Sequence, residues 1–225
     1  MTACCAIRRA RPDDLVPAAR LLADTLGFTE RDAVPAWLMR TTDECGGLTL
    51  VADHAGDVVG VSYAFPAHGR DAALFSCGLA VAPAHRGRRV GAALKMAQRR
   101  EAIALGYSCI RWTTDPVNGR ALRLYLSHLG ARITGYRPGL HDGLRADPGY
   151  EQDDLELVWH LASEPGLDRS AVPTVELPWS DGGVADRRRV RTEMSALLAD
   201  GFVGCGVALD RTARRCHVEF ARSPS

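Results

Sequence analysis

Lysine is almost missing from this chain of 225 residues: Lys95 stands alone among 28 basic side chains, the rest being arginine. Against 27 acidic residues the formal net charge is +1, so the composition supplies no global pull toward nucleic acid or a membrane surface. The arginine excess accompanies abundant Ala, Gly and Pro, which points to a GC-rich coding sequence rather than to arginine chemistry. No apolar run approaches the ~20 residues that cross a bilayer. The first residues, MTACCAIRRARPDD, lack the apolar core of a secretion signal, and a cytoplasmic location is expected. The cysteines at 4, 5, 45, 77, 109, 205 and 216 form no Cys-x-x-Cys pair and have no His at zinc spacing, so they read as buried free thiols and no metal is expected.

What is present is an ordinary globular composition, 46% hydrophobic and 24% charged, on a chain long enough for one domain with an appendage. Its organising stretch is LAVAPAHRGRRVGAAL, residues 79–94. Leu79, Ala80 and Val81 end a buried strand, Pro83 stops it, a loop follows, and a helix opens near Val90. Such a junction turns the first helical N–H groups outward with the positive end of the helix dipole behind them, where a pyrophosphate fits. Gly87 and Gly91 leave room for a ligand against the backbone, and Arg86, Arg88 and Arg89 add charge for its phosphates.

The run Val81-x-Pro83-x-x-Arg86-Gly87-x-x-Val90-Gly91-x-x-Leu94 resembles the acyl-coenzyme A signature of the GCN5-related N-acetyltransferases (GNAT), with Arg89 where the common form has its middle Gly. A second block, from Asn118 through Ala121, Leu124, Tyr125 and Leu129 to Gly130, resembles the helix that lines the thiol end of coenzyme A in that family. LKMAQRREA, RWTTDP, LGARITGY and a late Leu-Val-Trp resemble a poorly characterised subgroup of predicted acetyltransferases, which has Asn at the position of Tyr125. The resemblance implies acetyl-CoA or another acyl-CoA as co-substrate, held by residues 86–92, by backbone groups of Leu79, Ala80 and Val81, and by Asn118 and Tyr125. It also implies Tyr125 as the general acid for the departing thiolate.

Periodicity and turn residues give an α/β (α+β) order, β-α-α-β-β-β-α-β-α-β-β. The first helix buries Leu15, Ala19, Leu22 and Leu26. A second turns Trp37 and Leu38 inward. Along the third, Val90, Ala93, Leu94, Ala97 and Ala104 form the buried stripe while Lys95, Arg99 and Arg100 face water. This order matches the GNAT fold, a mixed, mostly antiparallel sheet flanked by helices. Residues 1–163 are the expected acyl-CoA-binding domain. Residues 137–154 form a long loop, 164–183 a proline-rich linker, and 184–225 a helix and hairpin. That tail is too short to fold alone and should dock on the main domain or on a second copy of the chain, making a homodimer.

Many relatives carry a Glu base near Phe75, and none stands here. Asp115, at the end of the neighbouring strand, is the first choice to accept the amine proton, with Glu156 and His141 as alternatives. Cys77 has nothing nearby in sequence to lower its pKa. Glu151, Asp153 and Asp154 could attract a cationic amine. The reading is an acyl-CoA-dependent N-acyltransferase acting on a small-molecule amine. A non-catalytic acyl-CoA-binding module is one alternative. Another is a transferase using aminoacyl-tRNA, with Arg187, Arg188, Arg189, Arg191, Arg211, Arg214 and Arg215 on its phosphates.

Overall fold

The computed structural model describes residues 5–29, 32–67, 69, 72–142, 151–162, 166–170, 172–179, 182–210 and 212–222. Cys4, Arg211, the middle of the 137–154 loop and parts of the expected linker lie outside the described residues. The chain parts into two compact units, Met1–Ile110 and Arg111–Ser225.

The first unit holds β1 (Ala6–Arg9), α1 (Leu15–Leu26), α2 (Ala36–Glu44), β2 (Leu48–His54), β3 (Asp57–Ala67), β4 (Ala73–Val81) and α3 (Val90–Ala104). Its strands pair antiparallel in the order β1-β2-β3-β4. Alternation along a strand sends successive side chains to opposite faces. Val61 and Tyr63 of β3 therefore join Leu15, Ala18 and Leu22 of α1 and Met39 of α2 in one core. Ser62 points to the other face, toward α3. Gly60 permits the close approach of α3, because a Cβ there would stand 3.0 Å from Leu94 and 3.1 Å from Val90.

Two helices are rotated from expectation. Trp37 is 67% exposed and Leu38 37%, because α2 buries Met39 and Thr42 instead. In α3, Ala93 and Ala104 face solvent, while Lys95 and Gln98 are buried with Val90, Leu94, Ala97 and Ala102. The sheet face beneath α3 carries hydroxyls, Ser62 and Ser76, and so accepts polar helix residues that an apolar stripe would not predict.

The second unit contains β6 (Arg132–Arg137), β7 (Asp154–His160), β8 (Thr174–Pro178), α5 (Val184–Ala199), β9 (Phe202–Asp210) and β10 (Arg215–Arg222); β5 (Cys109–Thr114) enters it. Between β5 and β6 run α4 (Gly119–Leu122) and a π-helical turn, Arg123–His128. The strand order is β5-β7-β6-β9-β10-β8. The tail docks through this sheet: β9 pairs with β6 at Ile133 and Gly204. The expected linker carries β8, antiparallel to β10, with Pro178 opposite Arg215. Proline is tolerated there because β8 is the edge strand, where a missing N–H leaves no neighbour unpaired. Among the described residues, no helix is long and apolar enough to cross a membrane.

Candidate functional site

In the first unit, β4 slips register against β3 beyond Gly78: Tyr63 faces Gly78 and Ala64 faces Ser76. Cys77 is thus left unopposed, a bulge that bends the strand. Beyond it Leu79, Ala80 and Val81 pair with Ser62, Val61 and Gly60. Pro83–His85 make one 3-10 turn, closed by His85 N–H to Ala82 O at 2.8 Å and Arg86 N–H to Pro83 O at 3.2 Å. The His85 ring stands edge-on to His54, centroids 5.1 Å apart. Two residues then take left-handed backbone angles, Gly87 at φ 77° and Arg89 at φ 62°. Glycine adopts that region without strain, and arginine does so at a cost that the surroundings must offset.

Arg89 is the N-cap of α3, with no side-chain cap. The Ala93 N–H donates to Arg89 O at 3.0 Å, so the amides of Val90, Gly91 and Ala92 precede the first intrahelical bond. Arg86, Gly87, Arg88 and Arg89 are exposed. Arg86 folds back, its Nε donating to Val81 O at 3.0 Å, which ties the loop to the strand end. Arg88 and Arg89 make no hydrogen bond or ion pair through their side chains among the described residues. A Cβ at Gly91 would meet only Leu79 and Val81, both at 3.8 Å. The junction therefore combines amides that have no intrahelical partner, the positive end of a helix dipole and two exposed arginines, features that favour an anion.

Farther along α3 is a network that sequence reasoning missed. The Lys95 Nζ donates to Ser76 Oγ at 2.8 Å and to Gln98 Oε1 at 3.1 Å. Gln98 Nε2 donates to Ser62 Oγ at 3.0 Å and Ser76 Oγ at 3.1 Å. Burial pushes the Lys95 amine down to about 7. Lys95, Gln98 and Ser62 are each at most 1% exposed, so the network pins α3 to β3 and β4 and is not open to ligand.

In the second unit, Asn118 Oδ1 accepts the Ala121 N–H at 3.1 Å and caps α4 as its sequence position implied. Tyr125 lies on the π-helical turn, its ring edge-on to Trp112 with centroids 5.1 Å apart. Burial pushes its phenol up to about 12, which keeps it protonated. The π-helical turn was not signalled by sequence; such turns collect at functional positions.

The carboxylates are differently employed. Asp115 accepts the Val117 N–H at 2.9 Å and takes both arms of the Arg187 guanidinium, at 3.0 and 2.8 Å. Glu156 accepts from Arg137 at 2.9 Å, and His141 Nδ1 lies 2.6 Å from Asp154. Asp153 is bound by Arg191 at 2.5 Å and by the Tyr136 hydroxyl at 2.7 Å, and Glu151 also pairs with Arg191. In the acidic cluster expected to attract an amine, Glu151 and Asp153 are thus held by Arg191 and Asp154 by the His141 ring. Four of the seven tail arginines are likewise occupied: Arg187 by Asp115, Arg189 by Glu193, Arg191 by Asp153 and Arg215 by Glu176. Arg188 and Arg214 make no side-chain hydrogen bond or ion pair among the described residues, and Arg211 lies outside them. Among the described residues no cluster of His, Cys, Asp and Glu is placed to hold a metal ion.

With the geometry in view, the comparisons decide the family. Residues 17–131, over half the chain, match the model of the acetyltransferase (GNAT) family. The chain belongs to that family. It is an acetyltransferase-type enzyme, and acyl-CoA-dependent acyl transfer is the general activity that membership carries. The matched span contains both the junction at 86–92 and the helix with Asn118 and Tyr125. Solved structures agree in fold. Salmonella typhimurium yncA, determined with its cofactor acetyl-CoA, is 20% identical at a TM-score of 0.59, covering 74% of this chain and 99% of its own. An IAA acetyltransferase from Bacillus cereus is 22% identical at 0.55, covering 69% of this chain and 99% of its own. GphF, a GNAT-like decarboxylase in complex with isobutyryl-CoA, is 25% identical at 0.55, covering 70% and 100%. No curated protein matches the sequence. The last structural neighbour is a reminder that one fold hosts several chemistries, so the acceptor must be argued from the site.

Proposed function

We propose that this GNAT enzyme transfers an acyl group, acetyl first among candidates, directly from coenzyme A to a small-molecule amine. The observation that carries the reading is the junction after β4, where the amides of Val90, Gly91 and Ala92 precede the first intrahelical bond and Arg88 and Arg89 stand exposed beside them. The coenzyme's pyrophosphate sits there, with Arg86 and Gly87 beneath it, and its pantetheine amides pair with backbone groups of Leu79, Ala80 and Val81. Asn118 and Tyr125 line the thiol end.

A donor held this way converts a bimolecular encounter into an oriented one. The neutral amine attacks the thioester carbonyl, the tetrahedral intermediate collapses, the C–S bond breaks, and the thiolate takes a proton from Tyr125. A phenol pushed up to about 12 donates to a departing thiolate only as charge develops on sulfur, as an acid in this role should. The amine's proton goes to a carboxylate or to water. Asp115 accepts it only as Arg187 gives up one of the two oxygens it holds, whereas Glu156 accepts it on Oε2 with Arg137 still on Oε1. The pairing of Arg187, Arg189, Arg191 and Arg215 favours this reading over an aminoacyl-tRNA donor, which would need those charges for phosphates.

The test is thiol release from acetyl-CoA across a panel of primary amines, with calorimetric binding of acetyl-CoA alongside. Binding with amine-dependent thiol release is expected. Binding without release by any amine would leave the coenzyme site and remove N-acyl transfer; no binding would remove both.

A further inference from the structure

The second unit contains a cavity of about 310 Å³ lined by Arg123, Trp179, Leu209, Asp210, Arg214 and Arg215. Five of these six residues lie beyond residue 131, where the family match ends, so the tail builds it. The charges in its wall are unequally spent. Arg215 is held by Glu176 at 2.6 Å and by Asp186 at 3.4 Å. Asp210 caps its own hairpin turn, accepting the N–H groups of Thr212 and Ala213 at 2.9 Å each. Arg123 and Arg214 make no side-chain hydrogen bond or ion pair among the described residues. Two guanidinium groups thus meet one carboxylate that is already engaged.

The wall is also fixed in place. The backbone N–H of Trp179 donates to Arg214 O at 3.2 Å, and its carbonyl accepts the Arg120 N–H at 3.1 Å, so the main chain that carries the indole is tied to α4 and to the start of β10 at once. Arg214 holds a left-handed backbone, φ 53°, that arginine seldom adopts without support. The volume is at the lower end of small-ligand sites, whose usual make-up is an apolar wall with a few convergent polar groups. Arg123 also lies two residues from Tyr125 on the π-helical turn, so the two side chains do not share a face.

We propose that this cavity binds a small organic anion, a carboxylate or phosphate monoester whose charged end meets Arg123 and Arg214 and whose body lies against Trp179 and Leu209. Its lining residues are none of those read as holding the coenzyme. Guanidinium forks match both oxyanions, and indole and leucine favour a ligand with an aromatic or apolar body over a bare inorganic ion.

The test is calorimetry on the full-length protein with benzoate, phenyl phosphate and inorganic phosphate as probes, repeated on Arg214→Met, Arg123→Met and Trp179→Leu. Saturable binding of benzoate or phenyl phosphate is expected, weakened at least about tenfold in both arginine variants. Trp179→Leu should weaken the aromatic probes more than inorganic phosphate. Arg214 is exposed, so its variant should keep the wild-type melting temperature and acetyl-CoA affinity. Four results would each overturn the proposal. They are no saturable heat from either organic probe up to about 10 mM, unchanged binding by Arg214→Met, inorganic phosphate binding as well as phenyl phosphate, and competitive displacement of the probe by coenzyme A. The last would return the cavity to the coenzyme without touching the reading of the β4–α3 junction.

Discussion

The single lysine offers the sharpest perturbation. An ordinary lysine amine titrates at 10.5, and burial pushes that of Lys95 down to about 7. The unfolded chain therefore holds a proton on this amine throughout the interval in which the folded chain has released it. Folding expels a proton there, and stability rises with pH across that window. Below about 7 both states are charged, and the folded state carries the full penalty, on the order of 5 kcal/mol. Between about pH 6 and about pH 9 the amine should add about 2 to 3 kcal/mol to the unfolding free energy.

Lys95→Met removes the charge and keeps most of the volume. Ser76 Oγ retains the Gln98 Nε2 donor, while Gln98 Oε1 loses one, at a cost of about 1 to 3 kcal/mol. At about pH 6 that loss is offset by the vanished penalty on a buried ammonium, and the variant should be at least as stable as wild type. Urea unfolding of both proteins at the two pH values reads the difference, in which other titrating groups cancel. If the two proteins respond to pH in parallel, Lys95 does not titrate in the folded state and the reasoning fails. Because Lys95 is 1% exposed, amine-directed acetylation in native buffer should leave it unmodified, and modification should appear only under unfolding conditions.

Gly91→Glu places a carboxylate in the first turn of α3, where space allows it and the dipole favours it. Acetyl-CoA affinity should fall by more than about tenfold with the melting temperature unchanged; unaltered affinity would move the pyrophosphate elsewhere. Tyr125→Phe should lower kcat by about 10²-fold or more with KM little changed, and an unchanged kcat would remove the phenol from the mechanism. Arg191→Met leaves Asp153, 5% exposed, without its guanidinium partner and should cost about 3 kcal/mol in denaturant unfolding. The surrounding donors hold the Asp153 carboxyl below the usual carboxylate range, so its stabilising contribution is present at neutral pH and lost as pH falls through the folded-state value. That acid-side loss should be smaller in the variant. Gly119→Ala would drive a methyl to 2.4 Å from Cys216 Sγ and 2.9 Å from Pro178 O, and should destabilise by about 1 to 3 kcal/mol; a neutral effect would mean that α4 can shift freely off β8.

What could be read from the sequence was local. Pro83, Gly87 and the strand before them mark a strand-to-helix junction within a dozen residues, and the structure has it. Asn118 three residues before Ala121 is a capping distance, and it caps. Gly27 ends α1 at φ 70° as glycine after a helical stripe should. The failures are contacts between distant residues. Lys95 reads as solvent-facing until Ser62 and Ser76, from two strands far upstream, supply acceptors beneath it. Asp115 looks like a free turn carboxylate until Arg187, 72 residues later, closes on it. Trp37 follows a pattern that also fits inward packing, but Met39 and Thr42 take that face. The strand at Thr174–Pro178 is masked in the sequence by Pro173 before it and Pro178 at its end, which exclude a central strand and permit an edge one.

The arginines carry the remaining step. In a chain with nearly equal numbers of acids and bases, a guanidinium is informative where no carboxylate has been placed beside it. Along α5 and into β10 the pairing is dense: Asp115, Glu193, Asp153 and Glu176 each take one. Two of these pairs tie α5 to the ends of β5 and β7, one lies within α5, and one joins β10 to β8, so those four charges act on the fold. In the β4–α3 loop, Arg88 and Arg89 have no such partner among the described residues, although they crowd a helix N-terminus whose dipole already repels cations. That arrangement is unfavourable in the empty protein and becomes favourable when an anion arrives. Raising the salt concentration should therefore do opposite things at the two places. It should weaken acyl-CoA binding, since screening acts on the loop's attraction for phosphate. It should also relieve the like-charge crowding of the free loop, so the ligand-free first unit should hold or gain stability while affinity falls. Loss of both together would mean that the loop arginines are paired in solution, and the case for a phosphate site at this junction would fail.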